Sequence, residues 1–198
     1  MYDDLFKILI LGDSNSGKTS LLDRLVNNQF MNCYISTIGI DFNVKTIRLE
    51  DETKVKLQIW DSCGQERFRS LTRSYYRNSS AFIICYDVTS LKSFENAKFW
   101  IGEIDKYVGD PDIIQILVGT KNDLEGLRQI EYNTGLNYAH YLGIDFFETS
   151  SKDDINVNEL FHHLSVELSL SKTKKIKYEK NRILDEMNKK ARKKLSCC

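Results

Sequence analysis

The sequence has no apolar run that approaches the roughly 18 to 20 residues a membrane-spanning helix needs. Its first residues, MYDDLFK, carry acids where a secretory signal peptide carries basic residues. Its five cysteines lack the spacing of a metal site or a disulfide framework, and two of them end the chain. These absences predict a cytosolic protein, and the length of 198 residues predicts a single domain.

Excess charge of either sign is also missing, since the formal net charge is zero, but the charge is unevenly divided. Between residues 172 and 194, eleven Lys or Arg accompany three acids, so the residues before them carry the compensating negative charge. This basic stretch has few large apolar residues and no pattern that buries them. We therefore predict a folded domain over residues 1–171 and a solvated, flexible, basic tail over residues 172–198.

Short apolar runs alternate with helical patterns along the folded part. In chain order we predict strand 5–11, a helix from about 17, extended runs 40–49 and 54–61, strand 81–87, a helix from about 91, strand 113–119, helix 132–142, strand 143–149 and a helix from about 155. Near-continuously apolar strands are typical of a parallel sheet covered on both faces, and the two extended runs predict an antiparallel hairpin at one edge. The predicted fold class is α/β: a doubly wound, mostly parallel six-stranded sheet with helices on both faces.

The segment GDSNSGKT, residues 12–19, lies between the first strand and the first helix. This is the context of a phosphate-binding loop, where backbone N–H groups and a helix N-terminus surround a polyphosphate. Lys18 adds a positive charge at the outer phosphates, and Thr19 offers a hydroxyl to Mg²⁺. A tight turn without a ligand is disfavoured, because Lys18 and Thr19 are both in register. The motif alone leaves an ATPase, a small-molecule kinase and a GTPase open.

Two later segments choose the nucleotide base. They are Thr120, Lys121 and Asp123 after one strand, and Ser150, Ser151 and Lys152 after the last strand. Asp123 accepts from the ring N–H and the exocyclic amine of guanine, whereas adenine presents an acceptor and leaves the carboxylate unpaired. The second segment offers a backbone N–H to guanine O6. Together they predict a guanine site at the carboxyl edge of the sheet, and we find no lid or second nucleotide site of an adenylate-type kinase.

A third group of residues suits the metal and the reaction. Asp61, at the end of a strand, is placed to hold Mg²⁺ through water, and the Gly64 N–H is placed to touch a γ-phosphate. The adjacent Gln65 would orient an attacking water, and Thr37 would complete the metal shell only when the γ-phosphate is present. An exposed loop glutamine without a function is the alternative for Gln65.

These residues resemble those of the Ras superfamily of small GTPases, and IGIDF, KLQIW, RFRSLT, YYRNS and YDVTS narrow the resemblance to the Rab family. It covers residues 5 to about 170 and the terminal cysteines. The resemblance implies GTP and GDP binding with Mg²⁺, slow GTP hydrolysis and a switch in membrane traffic. It implies phosphate contacts from Gly64 and from residues 14–20, which are Ser14, Asn15, Ser16, Gly17, Lys18, Thr19 and Ser20. It further implies metal contacts from Thr19 and Thr37, water positioning by Gln65, and an edgewise contact of Phe30 with guanine.

Loss of the γ-phosphate is expected to free two loops, about 32–42 and 62–76, which partners recognise. Phe42, Trp60 and Tyr75 resemble the aromatic triad of Rab effector surfaces, to which we add Ile38, and plain core packing is the alternative for the triad. The resemblance implies a monomer that meets a guanine nucleotide exchange factor, a GTPase-activating protein, a GDP-dissociation inhibitor and effectors.

Four residues depart from the family pattern: Asn15, where many relatives have glycine, Ser151, which replaces alanine, Thr120 and Cys63. Thr120 stands where the family has asparagine, and threonine cannot supply both an amide donor and a carbonyl, so we expect weaker guanine affinity or faster exchange. A second candidate function follows, an adaptor that is locked to its nucleotide or holds little of it. Cys63 replaces a usual alanine, and it either packs or is an oxidisable thiol.

The chain ends in Cys197 and Cys198, shortly after the basic segment KKARKK. A free thiol pair is one interpretation, and the resemblance implies the other, double prenylation. Two lipid chains, or one with basic residues near an anionic leaflet, anchor a protein stably. No aromatic platform accompanies the basic run, so nucleic acid is disfavoured. We expect a protein that cycles between the cytosol and the cytoplasmic face of intracellular membranes.

Overall fold

The computed structural model describes residues 2–32, 37, 39–65, 69–110 and 112–195. The strands are β1 (Asp4–Gly12), β2 (Ile40–Arg48), β3 (Lys54–Ser62), β4 (Ala81–Asp87), β5 (Ile114–Thr120) and β6 (Asp145–Thr149). The helices are α1 (Lys18–Asn27), α2 (Arg69–Ser74), α3 (Leu91–Val108), α4 (Tyr132–Leu142) and α5 (Val157–Leu195), with a short 3₁₀ turn at Glu125–Leu127.

The six strands form one sheet in the order β2-β3-β1-β4-β5-β6. Every neighbouring pair is parallel except β2 and β3, which form the predicted antiparallel hairpin at one edge. This confirms the predicted doubly wound α/β fold. β1 lies in the middle of the sheet, at the point where the strand order reverses. The loops that follow β1, β3, β5 and β6 therefore meet at the carboxyl end of the parallel strands.

The core has two layers, one on each face of the sheet. Alternate residues of β1 belong to opposite layers: Ile8 and Ile10 pack with α1 and α5, while Leu9 and Leu11 pack with α3 and α4. All four side chains are completely buried. Burial on both faces explains why the sequence of β1 is almost continuously apolar rather than alternating.

Helix α5 differs from the expectation of a flexible tail from residue 172, because it continues to Leu195. The sequence from residue 157 to 195 contains neither Gly nor Pro and is rich in Lys, Glu and Leu, so nothing in it ends a helix. Just past the predicted boundary, Lys172 pairs with Asp4, and Lys175 lies 3.4 Å from Asp110. The division into a GTPase domain and a tail stays a prediction.

Helix α2 lies within the second predicted loop, 62–76, where the sequence analysis places no helix. It has only six residues, too few for a helical period to stand out in the sequence. Among the helices of the described ranges, none has the length and apolar character needed to cross a membrane.

Helix α4 contains a glycine that tests how tightly it packs on the sheet. A Cβ at Gly135 would lie 2.7 Å from the Phe146 ring and closer still to the Tyr86 hydroxyl. We expect Gly135→Ala to lower the free energy of unfolding by about 1–3 kcal/mol, because overpacking outweighs the better helix propensity of alanine. The control is Gly102→Ala in α3, where a Cβ meets nothing within 4 Å, so stability should rise by up to about 1 kcal/mol. Denaturant unfolding measures both changes, and equal signs would contradict this packing.

Candidate functional site

The turn between β1 and α1 has the backbone that the phosphate-loop motif predicts. Gly12 has a φ of 140°, and a Cβ there would collide with the carbonyl oxygen of Cys85. Gly17 precedes α1 in the left-handed conformation, with a φ of 81°. Asn15 is also left-handed, with a φ of 64°, a conformation that asparagine tolerates better than most residues. The turn therefore delivers the chain directly to the N-terminus of α1, where unpaired N–H groups favour an anion.

Lys18, the first residue of α1, is buried beneath this turn. Its Nζ donates to the backbone oxygen of Asp13 at 2.5 Å, and only 4% of the residue is exposed. Burial lowers the pKa of Lys18, and the neighbouring Asp61 carboxylate is the largest opposing influence. A phosphate beside this ammonium would supply the negative charge that its surroundings lack.

Three oxygen-bearing side chains lie together beside Lys18. The Thr19 hydroxyl is 2.8 Å from the Thr37 hydroxyl and 2.5 Å from Asp61 Oδ2. Asp61 is completely buried, and within the described ranges its other carboxylate oxygen has no hydrogen-bond partner. Burial raises the pKa of Asp61 to about 6, while Lys18 and the Thr19 hydroxyl act in the opposite direction. Hydroxyl and carboxylate oxygens are the donors Mg²⁺ prefers, so this cluster fits the predicted metal.

Two adjoining cavities open beside these residues. The smaller, of about 100 Å³, is lined by Lys18, Thr19, Thr37, Cys63 and their neighbours. The larger, of about 330 Å³, is lined by Phe30, Thr120, Asp123, Ser151, Lys152 and others. Both cavities share walls formed by Asn15, Gly17, Ser20, Met31 and Lys121. The two cavities thus form one cleft with a smaller and a wider end, and its lining includes most of the predicted phosphate and base residues and the predicted metal residues Thr19 and Thr37.

The predicted base residues are held in place by bonds between their loops. The Ser150 hydroxyl donates to Asp123 Oδ1 at 2.7 Å and also accepts from the backbone of Asp153 at 3.0 Å. Lys121 is left-handed, with a φ of 61°, and its ammonium lies 2.7 Å from Asp87 Oδ2. The Asp123 carboxylate is therefore positioned from the last strand, which the sequence could not reveal.

Thr120 is the predicted departure from the family pattern, and the structure gives it a defined role. It is 2% exposed, and its hydroxyl lies 2.8 Å from the backbone oxygen of Ser16 and 2.9 Å from that of Tyr86. One hydroxyl proton is shared between two carbonyl acceptors. Thr120 therefore ties the phosphate loop to β4 without an amide.

The segment after β3 contacts the phosphate loop. Gly64 has a φ of 69°, and a Cβ there would lie 2.6 Å from the Lys18 ammonium. The half-buried Gln65 is the next residue, at the edge of the described range. Cys63 is 4% exposed and lines the smaller cavity, so it packs beside the predicted metal residues.

The aromatic triad forms one stack across the sheet edge. The ring centroids of Phe42 and Trp60 are 4.7 Å apart, and those of Trp60 and Tyr75 are 5.0 Å apart. Trp60 and Tyr75 are half-buried against the core, whereas Phe42 is 41% exposed. The stack thus combines core packing with an exposed aromatic edge. Ile38, Cys197 and Cys198 lie outside the described residues.

One brace of the phosphate loop was missed in the sequence. The Asp13 carboxylate accepts from Asn96 Nδ2 at 2.6 Å and from Trp100 Nε1 at 3.3 Å, both on α3. More than eighty residues separate these partners from Asp13. No local pattern in the sequence marks such a pairing.

Thr120→Val tests the tie between the phosphate loop and β4. Valine keeps the shape of threonine and leaves the carbonyls of Ser16 and Tyr86 without this donor, so the free energy of unfolding should fall by about 1–3 kcal/mol. Thr149→Val is the matched control, because Thr149 is buried and its hydroxyl has no partner in the described ranges. Chemical denaturation of both variants measures the difference. Equal losses would remove the role of the Thr120 hydroxyl.

Comparison with known proteins relates the whole domain to one group. A family model described as Ras family matches residues 7–170. GTP-binding protein YPTM1 of Zea mays is 47% identical over 171 residues, covering 86% of this chain and 81% of that protein. Ras-related protein RABD2a of Arabidopsis thaliana is 48% identical over 167 residues, covering 84% and 81%. Ras-related protein RABD1 of the same plant is 47% identical over 167 residues, covering 84% and 80%.

Proposed function

The chain belongs to the Ras family and is a Rab-type small GTPase of vesicle traffic, and we propose that the cleft described above is its nucleotide site. It is a GTP hydrolase that binds GTP and GDP with Mg²⁺. The observation that carries the assignment of the site is the cluster of Thr19, Thr37 and Asp61 oxygens beside the buried Lys18.

Each part of the cleft takes one part of the nucleotide in this proposal. Residues 14–20 and Gly64 surround the phosphates, and Lys18 neutralises their charge. Thr19, Thr37 and Asp61 would hold Mg²⁺, which would supply positive charge against the negative charge that develops on the phosphates. Phe30, Thr120 and Lys121 border the guanine ring, Asp123 pairs with its N–H groups, and the backbone of residues 150–152 meets O6.

Hydrolysis of GTP in this site is slow without a partner protein. Gln65 orients the attacking water, but the described residues place no arginine beside Lys18 and Gly64 to stabilise the transferring phosphoryl group. In related GTPases such an arginine contributes roughly 10³ to 10⁵ in rate. A GTPase-activating protein therefore completes the site, and an exchange factor resets it.

Partners recognise the loops that respond to the γ-phosphate. The exposed edge of Phe42, whose ring packs at a tilt against Trp60, which in turn packs against Tyr75, provides an aromatic surface close to Thr37 in the chain. Effectors bind here, together with Ile38, when GTP is present. A GDP-dissociation inhibitor holds the GDP form in the cytosol, and the GTPase itself acts as a monomer.

Gln65→Leu tests the hydrolytic assignment. The wild-type protein, loaded with GTP and Mg²⁺, should turn over slowly, and the variant should lose at least about tenfold in rate, because leucine cannot orient water. Single-turnover release of phosphate measures both. Unchanged turnover in the variant would reject Gln65 as the water-positioning residue.

The second candidate, an adaptor that no longer cycles, is motivated by Thr120 alone. The two functions separate when the natively purified protein is denatured and the released nucleotide is identified by chromatography. About one GDP per chain followed by measurable turnover supports the GTPase cycle. A protein without nucleotide, or one with GTP that is never hydrolysed, supports the adaptor.

We also propose that prenylation of Cys197 and Cys198 anchors the chain to the cytoplasmic face of an intracellular membrane. Replacing the basic residues of 189–194 by glutamine should weaken binding of the lipidated protein to phosphatidylserine vesicles by at least about tenfold, since each basic residue contributes about 1 kcal/mol. Vesicle co-sedimentation measures this, and neutral vesicles are the control. Equal binding of a Cys197→Ser and Cys198→Ser double variant would contradict the lipid anchor.

A further inference from the structure

Arg24 connects the last turn of α1 to the loop after β6. Its Nε donates to the backbone oxygen of Ser151 at 2.6 Å, and its Nη2 donates to the backbone oxygen of Lys152 at 3.0 Å. The residues joined by the first bond are 127 positions apart in the chain. Arg24 is half-buried, and Ser151 is 8% exposed, so the shorter bond is largely shielded from water.

The same guanidinium closes the end of α1. Its Nη1 lies 3.2 Å from the backbone oxygen and 3.0 Å from the side-chain oxygen of Asn28. Asn28 is left-handed, with a φ of 53°, and its N–H returns to the Arg24 oxygen. The planar fork of arginine is thus fixed from both sides, which a flexible lysine ammonium does not reproduce.

The Arg24 bond to the Ser151 oxygen fixes the direction of the Ser151–Lys152 peptide group, and a bond within the loop fixes that of the Ser150–Ser151 peptide group. In a trans peptide the C=O and the following N–H point in opposite directions. The Ser151 oxygen faces Arg24, so the Lys152 N–H is directed away from α1. The Ser150 oxygen accepts from the Ile155 N–H, so the Ser151 N–H is directed away from Ile155. Both Ser151 and Lys152 line the larger cavity.

From this geometry we propose that Arg24 is a positioning residue for guanine, which orients the Lys152 backbone donor toward O6 and holds the loop that carries the Ser151 donor, without touching the nucleotide. The inference rests on the proposed guanine site. It also links the two ends of the cleft, because Arg24 sits on the helix whose first turn carries Lys18 and Thr19.

The test compares release of GDP with release of the diphosphate of 2-aminopurine riboside, which keeps the exocyclic amine but lacks O6 and the ring N1–H. In the full-length chain, Arg24→Met should release GDP roughly tenfold faster, because two charge-assisted bonds to the loop are lost. Release of the analogue should change by less than about twofold, since it makes no use of the O6 donors. Arg24→Lys should fall between, and single-turnover hydrolysis of bound GTP should stay within about twofold.

Asn28→Gly is the matched control. It removes the Asn28 side-chain oxygen but keeps a residue that adopts the left-handed backbone, so GDP release should stay near the wild-type rate. Equal acceleration for GDP and the analogue in Arg24→Met would assign Arg24 a merely structural role and overturn the proposal, as would unchanged GDP release. A wild-type protein that does not prefer GDP over the analogue would overturn the guanine site itself, which distinguishes the two failures.

Discussion

The site depends on an ammonium group that is held out of water. Lys18 is buried beside the fully buried Asp61, and taking such a pair out of water is costly unless further partners satisfy both groups. Space around the ammonium is so restricted that Gly64 must approach it without a side chain. The left-handed turn before α1 and the oxygen cluster at Thr19 are arranged around this charge. A protein that keeps this arrangement keeps a place for a phosphate and a cation.

The sheet brings distant segments to that charge. In the register of β1 with β3, Asp61 lies opposite Ile10, two residues before the phosphate loop begins. Thr120 ends β5, and its hydroxyl reaches the Ser16 oxygen from the other side. Parallel strands and the loops that follow them therefore bring together the proposed metal carboxylate, the brace of the phosphate loop and the proposed base carboxylate. The helices contribute the remaining support. Asn96 of α3 donates to Asp13 in the phosphate loop, and Arg24 of α1 donates to the loop after β6.

Whether a feature of the fold or the site can be predicted from the sequence depends on how far apart in the chain its interacting residues lie. The order of strands and helices, the phosphate loop and the hairpin follow from local patterns and turn residues, and the structure has them where the patterns predict. The bonds of Thr120 to Ser16, of Arg24 to Ser151 and of Asp13 to Asn96 join residues that are 104, 127 and 83 positions apart, and no local pattern specifies them. Helix α2 was missed because six residues carry no readable period. The full length of α5 is not predicted because residues 172–195 lack the regular apolar spacing of a packed helix. The helix propensity of these residues nevertheless favours a helix there.

The length of α5 has a mechanical consequence. A helix of 39 residues with a rise of 1.5 Å per residue extends about 58 Å, and roughly half of that lies beyond its last contacts with Asp4 and Asp110. A random coil of the same composition would leave the folded domain free to move in all directions relative to the C-terminus of the chain. A helix instead fixes the distance between the folded domain and the C-terminus and gives the domain a preferred orientation. With the proposed lipid anchor at Cys197 and Cys198, a partner bound at the exposed edge of Phe42 would lie at a defined distance from the bilayer.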